Sequence, residues 1–172
     1  MDGVDRRSDS SPVRAWRYWQ VSPRRLLRSV SQRQVEWQPD RPLHAVCLAG
    51  GHPAPAVTCS CGISAARDLE TLRNYGLCVA PIPLVVGEID LWGRLVEEPT
   101  YGYRGEFGAP ASILLVRETA EDPVVREPIL EALAAYGVPV GTVGLDEAVA
   151  GVTAATLAFQ VMSAQASRTL EA

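Results

Sequence analysis

The chain has 172 residues, of which 47% are hydrophobic and 21% charged, with a formal net charge of −4. This is the composition of a globular protein with one buried core. No apolar run approaches the roughly 18 residues of a membrane helix, and the arginine-rich N-terminus lacks the apolar block of a secretory signal. We therefore expect a cytoplasmic protein without a membrane segment, whose four cysteines are metal ligands or free thiols rather than disulfides.

The charges are unevenly distributed along the chain. All 16 basic residues are arginine. Residues 1–36 hold eight arginines and four acidic residues, whereas residues 37–172 hold eight arginines and sixteen acidic residues. The chain thus has a basic front and an acidic body. Its pI near 5.2 is far below the strongly basic value typical of nucleic-acid-binding domains.

The first third of the chain predicts a tail followed by short strands. Residues 1–12 are charged and serine-rich, which predicts disorder. Residues 13–21 are aromatic-rich and predict a strand, and residues 24–30 and 34–37 predict two shorter ones.

The next segment carries the clearest chemistry in the chain. Cys47, His52, Cys59 and Cys61 follow one another as C-x4-H-x6-C-x-C, separated mainly by glycine and proline. We call residues 47–62 the knuckle. Because the knuckle has no apolar face of its own to bury, a bound ion is the natural way to order it. Three thiolates and an imidazole close a tetrahedral shell around zinc, so we predict a structural Zn²⁺ there, with an iron–sulfur cluster as the less favoured cofactor.

Other interpretations of these residues stay open. The spacing differs from common zinc fingers, in which paired cysteines are two to four residues apart. His44 could replace His52 as the ligand. Cys59 and Cys61 could form a labile redox pair, or Cys47 could be a small buried hydrophobe beside incidental neighbours.

The remainder of the chain predicts a helix, three strands and two more helices. Residues 64–76 predict a helix capped by Ser64 and ended by Gly76. Cys78 lies in an apolar run and is predicted to be a core cysteine. Residues 84–96 predict the clearest strand, with Gly93 marking a bend. Two further strands, a helix containing a proline, and a long helix are predicted at residues 101–110, 112–116, 122–137 and 146–162.

These elements predict an α+β fold: a small curved antiparallel sheet, partly open and barrel-like, with a metal knuckle and C-terminal helices. The predicted organisation is a disordered tail over residues 1–12 and a zinc-knuckle domain over residues 13–140. Residues 141–172 then form a C-terminal helix packed on the domain or at an interface.

Several blocks of the sequence resemble a family of uncharacterised proteins found chiefly in high-GC Gram-positive bacteria. The blocks span roughly residues 14–140. The resemblance implies the same Cys-His-Cys-Cys cluster on a mixed, β-rich domain, and it implies no established activity. Ser64 departs from it, since an aromatic residue is usual there, and the C-terminal helix has no counterpart. Among the blocks are Trp37-x-Pro39, Cys59-x-Cys61-Gly62-Ile63, Leu91-Trp92-Gly93-Arg94-Leu95-Val96-Glu97, Gly102-Tyr103-Arg104-Gly105-Glu106 and Tyr136-Gly137-Val138-Pro139-Val140.

The sequence favours a binding role over catalysis. It has no phosphate-binding loop, nucleophile elbow or HExxH motif, and both histidines lie in or beside the knuckle. We expect a non-catalytic, zinc-stabilised adaptor acting through protein–protein contacts, with self-association through the C-terminal helix as a second possibility. The alternatives are a nucleic-acid-binding regulator using the Arg/Trp-rich N-terminal strands and a thiol redox or metal-dependent enzyme. Candidate contacts to a partner or nucleic acid are Arg14, Trp16, Arg17, Trp19, Arg24, Arg25, Trp92, Arg94, Tyr103 and Arg104.

Overall fold

A computed structural model describes residues 4–6, 11–75 and 82–149. Its helices are α1 Leu69–Asn74, α2 Pro123–Leu133 and α3 Leu145–Ala148, with single 3₁₀ turns at Arg117–Thr119 and Ala134–Tyr136. Its strands are β1 Val4–Arg6, β2 Val13–Val21, β3 Leu27–Ser29, β4 Leu43–His44, β5 Ile63–Ala66, β6 Leu84–Glu98, β7 Gly102–Pro110, β8 Ile113–Val116 and β9 Val140–Val143.

The 15-residue strand β6 is the centre of the sheet. One of its edges pairs with β2 and then β1, and the other pairs with β8 and then β7. Its residues Ile89, Leu91 and Leu95 are buried in the core. Gly93 lies at a register shift with φ 76, so the predicted bend is a β-bulge of the kind that favours glycine.

The sheet is mostly antiparallel and curls back on itself. Strand β2 pairs along β6 and also touches β5 at Trp16 and Ala66, while β5 pairs with β7 and β7 with β6. These four strands form a partial ring, which is not a closed barrel. The pairing of β8 with β9 is parallel. The predicted α+β class with a curved antiparallel sheet is confirmed.

The main core lies against β2 and the first half of β6. Trp19 and Trp37 meet edge to face with ring centroids 5.7 Å apart. The buried hydroxyl of Tyr136 donates to the carbonyl oxygen of Trp37 at 2.7 Å and accepts the N–H of Leu27 at 2.9 Å. Because Tyr136 follows α2, this hydroxyl fastens the helical part of the chain to β3.

The predicted helix over residues 64–76 is wrong in its first part. Residues Ile63–Ala66 form β5, which pairs with β7, and the helix cap is Asp68, whose side chain accepts the N–H of Thr71 at 2.7 Å. Ala65 and Ala66 are completely buried, so sheet pairing outweighs the helical propensity of alanine. The knuckle therefore leads directly into a strand. Gly76 and Cys78 lie outside the described residues.

The helix containing a proline is confirmed. Asp122 caps α2, Pro123 is its first residue and Pro128 lies inside it. Gly137 follows the closing 3₁₀ turn with the left-handed φ of 68, as expected for a helix end.

The two ends of the chain differ from expectation where they are described. The prediction of disorder over residues 1–12 is wrong for Val4–Arg6, because their backbone pairs with β6. Helix α3 ends at Ala148, and Val149 is extended. The rest of the helix predicted at residues 146–162 lies outside the described residues. Within residues 4–6, 11–75 and 82–149, no helix has both the length and the apolar character needed to cross a membrane.

Candidate metal centre

The four predicted ligands of the knuckle come together in space. Their ligand atoms all lie within 4.8 Å of one another. The Sγ atom of Cys47 is 3.4 Å from Nε2 of His52 and 3.8 Å from Sγ of Cys59. Cys47 is buried, and Cys59 and Cys61 are half-buried free thiols. The predicted Cys3His cluster is therefore present as a compact group that could hold a metal ion.

These separations match those of a single tetrahedral ion. With Zn–S near 2.3 Å and Zn–N near 2.05 Å, a tetrahedral shell has S···S edges of about 3.8 Å and S···N edges of about 3.5 Å. The Cys47–Cys59 and Cys47–His52 distances agree with these edges. These two distances thus allow the four side chains to share one ion.

The imidazole of His52 is oriented for coordination through Nε2. Its Nδ1–H donates to the carbonyl oxygen of Pro53 at 3.0 Å, which leaves Nε2 free to face the thiols. This hydrogen bond, followed by one with Cys59, raises the pKa of His52. The same contact would hold the neutral ring in the tautomer that a metal requires.

The two thiols of the C-x-C pair have different environments. Hydrogen bonds from the Cys61 backbone and then its thiol lower the pKa of Cys59 to about 7. Desolvation raises the pKa of Cys61. Cys59 is therefore the thiol that becomes a thiolate first, and a thiolate is the form that binds metal.

Arg104 of β7 holds the knuckle to the sheet. Its Nη1 donates to the carbonyl oxygens of Ala56 at 3.1 Å, Cys59 at 2.5 Å and Cys61 at 2.7 Å. Its Nε donates to Glu98 at 2.5 Å, and the residue is only 6% exposed. The predicted role of Arg104 as a partner contact is corrected: its guanidinium is occupied inside the protein, where it positions the ligand loop.

Close packing fixes the end of the knuckle. Gly62 has φ +116, and a Cβ at this position would lie 2.8 Å from Cβ of Pro55 and 3.1 Å from Cβ of Arg104. Arg94 supports the neighbouring turn, since its Nη1 lies 3.5 Å from the carbonyl oxygen of Pro53. Its own N–H donates to Glu106 at 2.9 Å.

His44 is not a member of the cluster. It lies on β4, where its ring stacks on Phe107 with centroids 4.6 Å apart and its Nε2 is 3.6 Å from a carboxylate oxygen of Glu106. Phe107 in turn stacks on Trp92. Of the two histidines, His52 alone contributes to the cluster formed by the described residues.

The predicted contact residues of the N-terminal strands are largely engaged within the protein. Trp19 is completely buried, so its predicted role as a surface contact is wrong. Trp16 is half-buried against the smaller core cluster. Arg14 pairs with Asp90 at 2.6 Å and Arg24 with Glu36 at 2.6 Å. The arginine-rich face of this region is thus partly neutralised by carboxylates.

Three other predicted contact residues lie in different environments. Arg25 is exposed in the turn between β2 and β3, with φ 61. Tyr103 is half-buried and packs against the main core, and Arg17 is half-buried and lines a cleft beside the knuckle. Whether any of these residues contacts a partner or nucleic acid stays a prediction.

No family model, curated protein or solved structure matches this chain. The resemblance to an uncharacterised bacterial family therefore stays a prediction, and the site must be interpreted from its own geometry.

Proposed function

We propose that this chain is a non-catalytic, zinc-stabilised binding protein whose knuckle contacts a protein partner. The observation that carries the proposal is the compact Cys3His cluster, whose ligand atoms all lie within 4.8 Å of one another. Four protein ligands close a tetrahedral shell and leave no open position for a substrate or water, which is the mark of a structural rather than a catalytic zinc site.

Zinc is favoured over an iron–sulfur cluster for a geometric reason. A cluster distributes its protein ligands over several iron atoms and so holds them farther apart than one ion does. Here all four ligand atoms lie within 4.8 Å of one another, which suits ligands that share one ion. Three thiolates also make the site soft, which disfavours magnesium and calcium.

The knuckle and the residue before it, Val46, present apolar side chains to solvent beside a buried ligand. Val46 is 70% exposed and Leu48 is 76% exposed, although Cys47 between them is buried. Val57, on the other arm of the knuckle, is also exposed. A metal that fixes the loop would hold these side chains in place before binding, which lowers the entropy cost of association. The partner expected here is a protein that offers an apolar pocket to Val46 and Leu48.

The metal part of the proposal is tested by elemental analysis and an absorption spectrum of the untagged full-length chain. We expect an equimolar amount of zinc and no visible absorption, and we expect Cys59→Ser to lose both the zinc and most of the stability. A brown, iron-containing protein would contradict the assignment to zinc. A protein without any metal would contradict the proposal as a whole.

The partner part is tested with paired surface variants. Photo-cross-linking in cell extract compares the wild type with Val46→Ser/Leu48→Ser, and uses Val124→Ser/Val125→Ser as control because these two valines are also exposed but lie on α2. We expect a discrete cross-linked protein that the knuckle variant loses and the α2 variant keeps. Equal capture by all three proteins would contradict a role for the knuckle in binding.

A further inference from the structure

A cleft of about 510 Å³ lies between the knuckle and strands β2 and β3, and three of the candidate metal ligands, Cys47, Cys59 and Cys61, are among the residues that line it. Its polar wall includes Arg17, Ser29 and Ser64, and its apolar wall includes Val35, Leu43 and Ala45. The volume lies in the range of small-molecule sites, which typically combine an apolar lining with a few placed polar groups.

Arg17 is the unusual residue of this cleft. Its Nη1 donates to the carbonyl oxygen of Ser64 and its Nη2 to Oγ of Ser29 at 3.3 Å. Its guanidinium lies 5.5 Å from the ring centroid of Trp37. Its buried Nε has no acceptor within the described ranges. Each of these contacts is with a neutral group.

Several other arginines have carboxylate partners, whereas Arg28 and Arg73 resemble Arg17 in having a buried Nε without an acceptor among the described residues. Arg14 pairs with Asp90, Arg24 with Glu36 and Arg104 with Glu98. Arg17 has no carboxylate partner among the residues that the structure describes. Arg17 is half-buried, and a partly desolvated charge without a counter-charge is costly, so its retention points to a partner that binds from outside.

The guanidinium keeps its charge at neutral pH. Desolvation lowers the pKa of Arg17 to about 10, which still leaves it protonated under physiological conditions. The fork of N–H donors on arginine suits carboxylate and phosphate oxygens, and the hydroxyl of Ser29 and the ring of Trp37 hold the guanidinium in place.

We propose that this cleft binds a small organic anion, with a carboxylate or phosphate head at Arg17 and an apolar body against Val35, Leu43 and Ala45. The inference goes beyond the proposed adaptor function, because it assigns a small-molecule ligand to Arg17, although Val46 and Leu48 also belong to the lining of this cleft. It predicts that the protein carries or senses a small molecule beside its metal centre.

The test is a titration of the zinc-loaded full-length chain followed by ¹H–¹⁵N NMR. The indole N–H of Trp37 is a suitable reporter, since it donates to Oγ of Ser29 at 3.2 Å. The probes are benzoate and phenyl phosphate, which distinguish the two head groups, and benzyl alcohol is the uncharged control. We expect saturable shifts with a Kd on the order of 1 mM for at least one anion and none for the alcohol.

Three variants decide whether Arg17 carries the binding. We expect Arg17→Gln to weaken anion binding by about tenfold or more, and Arg14→Gln, on the same strand but paired with Asp90, to leave it unchanged. Ser31→Asp places a negative charge at the exposed edge of the cleft. It should weaken anion binding several-fold without disturbing the core, and it replaces Arg17→Gln as the test if that variant fails to fold.

The absence of saturable shifts would overturn the proposal, as would equal binding of benzyl alcohol. Undiminished binding by both folded cleft variants would also overturn it. Arg17 would then be the counter-charge of the zinc–thiolate centre, whose net charge with three thiolates is −1.

Discussion

The guanidinium of Arg104 donates to the carbonyl oxygen of Cys59 at 2.5 Å, across 45 residues of chain. The contact joins a sheet residue to the backbone of a ligand, not to its thiol. Together with the bonds to Ala56 and Cys61, it sets the positions of Cys59 and Cys61 before any ion binds. Positioning groups of this kind strongly influence the affinity of a site for its metal.

We expect Arg104→Lys to weaken zinc binding by about 10–100-fold and to destabilise the protein by about 2 kcal/mol or more. Lysine keeps the positive charge but has no planar fork to reach three carbonyls and Glu98 at once. Competition with a chelating dye measures the affinity, and urea denaturation the stability. Arg24→Lys is the matched control, because its exposed pair with Glu36 should contribute less than about 1 kcal/mol. Equal effects of the two variants would contradict the anchoring role.

Variants of the two histidines distinguish a metal ligand from a residue that only lies near the cluster. His52→Ala removes the imidazole that lies 3.4 Å from Cys47, so we expect zinc affinity to fall by about 100-fold or more, beyond the loss of an outer partner. His44→Ala removes only a ring stacked on Phe107 and should keep a full equivalent of zinc. Elemental analysis after dialysis, with a thermal melt, measures both. Loss of zinc from His44→Ala alone would reverse the assignment.

Alkylation of the metal-free protein should begin at Cys59. Because the pKa of Cys59 is lowered to about 7 and that of Cys61 is raised, about half of the Cys59 thiols are ionised at pH 7. Iodoacetamide at pH 7, followed by fragmentation mass spectrometry, should find Cys59 modified before Cys61, and zinc should protect both. Reaction of Cys61 first would contradict this order.

The lowered pKa of Cys59 also predicts how the stability of the metal-free protein depends on pH. A lowered pKa in the folded state means that the Cys59 thiolate contributes stability above the unfolded thiol pKa, near 8.5. That contribution is lost as the pH falls through about 7. The metal-free wild type should therefore lose more stability than metal-free Cys59→Ser when the pH is lowered from about 9 to about 6. Equal losses of stability in the two proteins over this pH range would contradict the lowered pKa of Cys59.

We expect the hydroxyl of Tyr136 to contribute to the stability of the fold and not to zinc binding. Tyr136→Phe leaves the N–H of Leu27 and the carbonyl of Trp37 without this partner in the core, so we expect a loss of about 1–3 kcal/mol in the free energy of unfolding. Zinc stoichiometry should not change. Tyr75→Phe, at an exposed tyrosine, should change stability by less than about 0.5 kcal/mol. A neutral Tyr136→Phe would show that the hydroxyl does not stabilise this junction.

Local patterns predicted most of the sheet. Strand β2 has the predicted bounds of residues 13–21, because alternating aromatic and polar residues are a property of neighbouring positions. The cap at Asp122 and the stop at Gly137 were likewise predicted from residue type. The helix predicted from Ser64 failed because Ile63–Ala66 pair with β7, and that partner lies some forty residues away.

The sequence by itself determined the chemistry of the candidate site. Three cysteines and a histidine within fifteen residues, separated by glycine and proline, specify a soft tetrahedral ligand set whatever fold surrounds them. Only the tertiary structure decided between His44 and His52 and showed that Arg104 anchors the knuckle. It also placed Arg17 in a cleft where no carboxylate of the described residues pairs with it. The reason is physical: the preference of a thiolate or imidazole for a soft metal belongs to the side chain, whereas hydrogen bonds between distant residues depend on the pairing register of β5, β6 and β7.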